Sequence, residues 1–152
     1  EKDDTLRLAL AVGNILEENG VNVIYTRTSD VYTSPAGKAA MANASGADYF
    51  LSIHRNSSPY DNQYTGVESL VYSKNGIART IAENINRELT RVGFVNQGIQ
   101  ERPNLAVLRR TDMPAVLVEV GFINTDKDNI RFDTQFQEIA RAIATGLLKS
   151  IS

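Results

Sequence analysis

A chain of 152 residues, 42% apolar and 22% charged, is sized for one globular domain that buries about two thirds of its unfolded surface. A formal net charge of −2 offers no basic field for nucleic acid or anionic lipid, and the apolar runs are too short for a membrane-spanning helix. There is no cysteine, which excludes disulfides, thiolate ligands and a cysteine nucleophile, so any metal must rest on nitrogen and oxygen donors.

The chain opens on Glu1-Lys2-Asp3-Asp4, which carries no signal-peptide pattern. Leu6, Leu8, Ala9, Ala11, Val12, Ile15 and Leu16 recur at helical spacing, with Asp3 or Asp4 to cap the start and Gly20 to close the end. Val21 to Arg27 is β-branched and aromatic and predicts a strand. A polar loop with Pro35 leads to an Ala-rich helix from about Lys38 to Ser45, and Asp48 to Ile53 predicts the next strand. Ser57 to Thr65 is a polar loop placed to wall a substrate cleft. Val67 to Tyr72 predicts a strand and Ile77 to Val92 an amphipathic helix. Val95 to Asn104 reads as irregular, Leu105 to Leu108 as a short strand, and Ala115 to Val120 as a strand apolar on both faces. Phe136, Ile139, Ala140, Ile143, Leu147 and Leu148 form the stripe of a last helix. The alternation predicts a single three-layer α/β domain over residues 1–152, a mostly parallel mixed sheet with helices on both faces.

Two residues stand out chemically. His54, the single histidine, falls where a buried strand gives way to a polar loop, between Ser52 and Asn56. It reads either as a hydrogen-bonded strand-end residue or as a metal ligand or general base. Glu119 interrupts Val116-Leu117-Val118-Glu119-Val120, and a carboxylate there is costly unless paired or used. It reads as a strand-end ion pair with Arg109 or Arg110, or as a general base. For Asp48 and Glu68 a purely structural role is expected. No zinc-protease helix motif, phosphate loop or serine-nucleophile elbow is present.

Several stretches, in order along nearly the whole chain, carry a resemblance. They are Glu1-Lys2-Asp3-Asp4-Thr5-Leu6, Val23-Ile24-Tyr25-Thr26-Arg27-Thr28-Ser29-Asp30, Ala42-Asn43-Ala44-Ser45-Gly46-Ala47-Asp48 and Ser52-Ile53-His54-Arg55-Asn56. Gly66-Val67-Glu68, Val107-Leu108-Arg109-Arg110-Thr111 and the run from Met113 to Asn124 continue the series. Together they resemble the catalytic domain of the zinc-dependent N-acetylmuramoyl-L-alanine amidases of the third amidase class.

The resemblance implies one Zn²⁺ held by His, Glu and His, with Glu1 as the glutamate ligand, His54 as the second histidine and Glu119 as the catalytic base. It implies Asn56 and Arg109 as substrate contacts, and cleavage of the amide joining N-acetylmuramic acid to L-alanine in peptidoglycan. An autolysin acting in the bacterial cell envelope or after secretion follows, as a monomer with peptidoglycan as its partner. Two departures accompany it. The family's first ligand, in a Gly-His-Gly-Gly motif after an initial strand, has no match here, so that strand and loop are expected upstream of Glu1. Arg55 stands where a small residue is usual, which would narrow the cleft or alter substrate choice, and Lys38 stands where Arg is frequent. The alternatives are a catalytically incomplete peptidoglycan-binding or regulatory module, and a zinc peptidase cutting within the stem peptide.

Overall fold

Leu8, Val12 and Leu16 recur every fourth residue along helix α1 (Lys2–Glu18) and are buried as one stripe, the pattern of a helix laid on a core. The computed structural model describes residues 2–29 and 31–152. The further helices are α2 (Pro35–Ser45), α3 (Gly76–Val92), α4 (Ala106–Arg109), α5 (Asp126–Thr134) and α6 (Phe136–Ile151). The strands are β1 (Phe50–Asn56), β2 (Val67–Val71), β3 (Asn96–Glu101) and β4 (Ala115–Phe122), in sheet order β1-β4-β2-β3. β1 pairs with β4 and β2 with β3 in parallel, while β2 runs antiparallel to β4. The sheet is therefore mixed and mostly parallel, as the alternation of elements predicts.

Side chains alternate across a strand, so each strand divides its residues between two faces. One face presents Val67 and Val71 with Val116, Val118 and Val120, packed beneath α1, α3 and α6 in the main core with Ile81, Ile85, Leu89, Ile139 and Ile143. Gly146 lets α6 approach α3 closely, since a Cβ there would sit 2.6 Å from the Ile85 Cα. The opposite face carries Leu70, Ala115 and Leu117, buried against Val107 and Leu108 of α4. Asn43 on α2 ties that cover down, donating to the Arg110 carbonyl and accepting from the Asp112 N–H, both at 2.7 Å. The helices thus lie on both faces but unequally, and the short cover leaves the other end of the second face to polar side chains.

Four local expectations change. Val21 to Arg27 is irregular, because no strand among the described residues lies beside it to supply ladder bonds; Val21 and Val23 pack against the core instead. Leu105 to Leu108 lies in the cap and helix of α4, not in a strand. The stretch read as irregular contains β3, an edge strand whose polar sequence leaves no apolar alternation to read. Helix α5 has no counterpart in the sequence reading, since Phe132 is its only buried apolar side chain.

Arg55 also corrects its expectation. It points to the face opposite His54 and is buried, so it does not narrow a cleft beside the histidine. Its guanidinium donates to Asp4 at 3.2 Å and to the Asn129 amide oxygen at 2.6 Å, and stacks over Phe132 at 4.3 Å. It bolts the end of β1 to the first turn of α1 and to α5. Arg55→Ala should cost roughly 2 kcal/mol, read as a lower urea midpoint, because a buried cation with three partners is lost while Asp4 keeps some solvent. Arg55→Lys should recover less than half, since an ammonium cannot reproduce the planar stacked fork.

Candidate active site

Strand register assembles the chemistry. His54 on β1 is the partner of Glu119 on β4, and Glu119 is in turn the partner of Glu68 on β2. Register partners share a face, so an imidazole and two carboxylates form one row across three strands, at the end of the face that α4 leaves uncovered. All three residues are half-buried. The Ser52 hydroxyl lies 2.9 Å from His54 Nε2, engaging one ring nitrogen and orienting the imidazole. Burial raises the Glu68 carboxyl above its ordinary value, while the charge of Arg102 pulls it down.

The ladder breaks on both sides of this row. The β1–β4 register shifts between His54 and Asn56, next to Gly121 with its φ of +75°, and the β2–β3 register shifts between Val67 and Ser69. Such irregularities re-aim side chains at sheet ends. The second is held from beneath: Asn86 on α3 accepts from Ser69 Oγ at 2.7 Å and donates to Asn96 Oδ1 and the Gly98 carbonyl.

Residues 57–66 connect β1 to β2 across the end of β4 and wall this end of the sheet, and they include the polar loop predicted over Ser57 to Thr65. They are locked onto the residues after β4. Asn124 exchanges hydrogen bonds with Ser58 and accepts from the Asn62 N–H at its carbonyl, and the Thr125 hydroxyl donates to the Tyr64 carbonyl. Asp128, fully buried, accepts from the Thr65 hydroxyl, the Gly66 N–H and the Phe122 N–H at 2.6, 3.0 and 2.9 Å. Tyr60 and Tyr64 stay exposed on the wall.

The structure brings His54 and Glu119 together, with Asn56 two residues beyond at the loop junction, its amide oxygen accepting from the Ser57 N–H. Arg109 is elsewhere. It lines a groove of about 440 Å³ with Tyr72, Met113, Pro114 and Ala115, at the far end of β4 and about 13 Å along the strand from Glu119. Glu1 lies outside the described residues. Glu68 joins the row although its sequence context suggests a structural role; only the pairing of β2 with β4, invisible in the sequence, reveals it. Asp48 is exposed and precedes β1. Among the described residues no three His, Cys, Asp or Glu side chains gather to hold a metal ion. The donor types at the row, imidazole and carboxylate without sulfur, are those zinc accepts in catalytic sites.

The family model described as N-acetylmuramoyl-L-alanine amidase matches residues 1–149. A sporulation-specific N-acetylmuramoyl-L-alanine amidase of Bacillus subtilis is 40% identical, covering 97% of this chain and 58% of the relative. The N-acetylmuramoyl-L-alanine amidase CwlM of Bacillus licheniformis is 39% identical, covering 100% of this chain and 60% of the relative. This chain thus spans under two thirds of those relatives. The crystal structure of an N-acetylmuramoyl-L-alanine amidase from Clostridium difficile 630 superposes with a TM-score of 0.90 at 32% identity, over 98% of this chain and 82% of that one.

Proposed function

The chain belongs to the N-acetylmuramoyl-L-alanine amidase family, and from that premise we propose that residues 1–152 carry a catalytic domain that cuts the amide between N-acetylmuramic acid and L-alanine in peptidoglycan. The observation that carries the reading is the cross-strand pair of His54 and Glu119 at the uncovered end of the sheet. In this reading His54 and Glu1 are two zinc ligands. His54 is the single histidine within residues 1–152, so the family's first histidine ligand has no counterpart among them.

Zinc bound there would polarise the amide carbonyl and bring a bound water toward neutral pKa. Glu119 takes a proton from the attacking water, the hydroxyl oxygen adds to the lactyl carbonyl carbon, and the carbon–nitrogen bond breaks. The same proton then passes to the departing nitrogen as the bond breaks, and the proton of the new lactyl carboxylic acid follows, leaving a lactyl carboxylate and the α-ammonium of L-alanine. Ser52 keeps the imidazole aimed, and Asn56 meets the substrate at the mouth of the loop. Arg109, at the far groove, would meet a more distant part of the glycan or stem peptide. The reaction belongs in the cell envelope or outside the cell, with a monomer working on the wall. No helix among the described residues is long and apolar enough to cross a membrane.

Incubation with purified peptidoglycan should expose new amino-terminal alanine without new reducing sugar ends. Chelation should abolish this release, and added zinc should restore it with about one metal per active chain. Release of a different amino terminus would overturn the assignment in favour of a peptidase. The presence of one histidine alone favours a second reading, a wall-binding module without turnover, and sedimentation with peptidoglycan without any release would establish it.

A further inference from the structure

The row His54–Glu119–Glu68 contains more acid than the reaction above consumes. Like charges directly opposite on neighbouring strands destabilise a sheet, yet Glu68 and Glu119 are direct partners. Both carboxylates lie on the face that carries Leu70, Ala115 and Leu117, past the end of the apolar cluster those residues form with Val107 and Leu108, and both are only half-buried. The arrangement is also built. The β2–β3 irregularity that flanks Glu68 is clamped by Asn86 through Ser69, Asn96 and Gly98.

Geometry assigns the extra carboxylate a place. Adjacent strands lie about 4.8 Å apart, so Glu68 stands one strand beyond Glu119 and two beyond His54. A scissile amide with its carbonyl toward His54 and its nitrogen at Glu119 sends the departing amine toward Glu68. That amine leaves neutral and becomes an ammonium on taking the proton of the new carboxylic acid, and an ammonium beside two carboxylates offsets the repulsion between them.

We propose that Glu68 is a specificity-determining residue whose carboxylate receives the α-ammonium of the released stem peptide. The assignment rests on the amidase reading, and it makes the leaving-group side of the site selective for an alanine amine that becomes charged. The neutral amide nitrogen of an uncleaved or acylated peptide gains no such charge-assisted contact, so the carboxylate discriminates the released amine from an acylated one.

The test compares two alanine-first stem peptides, one with a free amino terminus and one N-acetylated, as ligands of the wild-type protein and of Glu68→Gln. Wild type should bind the free amine at least about tenfold more tightly, what one charge-assisted contact supplies. Glu68→Gln should reduce that preference to about twofold or less, and Glu68→Asp should keep much of it. Equal affinity of wild type for the two peptides, or an undiminished preference in Glu68→Gln, would overturn the proposal. Calorimetric titration needs no turnover, so a wild type that binds selectively but releases no alanine sinks the amidase reading alone. Glutamine keeps the side-chain volume and removes a like-charge pair, so the melting temperature should hold or rise. A fall would mark Glu68 as a structural residue and overturn the assignment.

Discussion

Glu119→Gln should reduce release of amino-terminal alanine from peptidoglycan by about 10²–10⁴-fold, the range one positioned general base supplies. The folded state should not suffer. The substituted glutamine keeps nearly the same volume on β4, and the change removes one of two carboxylates that face each other across β2 and β4. The melting temperature should therefore hold or rise while kcat collapses, a combination that a general loss of structure cannot produce. Glu119→Asp supplies the complementary measurement, because it keeps the charge and draws the carboxylate back by one methylene. Misplacement on the order of 1 Å costs about a hundredfold in such geometries, so this variant should be damaged too. A Glu119→Gln protein retaining more than a tenth of wild-type kcat would show that the base lies elsewhere.

How much of this is legible in the sequence depends on whether a residue's role is set locally. The stripes of α1, α3 and α6 declare themselves at helical spacing, and β4 declares itself as a run of valines, because apolar burial writes a period into the chain. His54 and Glu119 can be singled out for the converse reason, as polar groups set at or within apolar strands where a bland role is expensive. Elements whose form depends on a neighbour cannot be read. The Val21–Arg27 segment has strand-forming side chains and no partner strand among the described residues, whereas β3 has a partner and few strand-forming side chains. Glu68 fails on the same ground. Its meaning comes from lying opposite Glu119, a register fixed by the sheet and not by spacing along the chain. Arg55 fails because one step along a strand reverses the face, so a residue adjacent to His54 in sequence belongs to the helix-covered side.

The largest effect on stability is expected at Asp128, which touches no substrate in this reading. Asp128→Ala leaves the buried N–H groups of Gly66 and Phe122 without their acceptor, and with them the partly buried Thr65 hydroxyl. Each buried donor left unsatisfied costs about 1–3 kcal/mol, so the total should reach about 3–5 kcal/mol. For a domain of this size that lowers the melting temperature by about 10–15 °C. Relaxation cannot spare the loop, because Gly66 is wedged with its φ at +111° against the Val95 carbonyl, and Val67 donates to that same carbonyl. Asp128→Asn should cost about half as much, since its amide oxygen still accepts but its NH₂ opposes one of the donors. Asp128 also anchors the 57–66 wall to the end of β4 that carries Glu119, so activity measured well below the melting point should fall as well. That coupled loss of stability and kcat/KM, set against the pure loss of kcat at Glu119, separates the residue that builds the site from the one that acts in it. Unchanged turnover in a destabilised Asp128→Ala protein would show that the 57–66 wall takes no part in holding substrate.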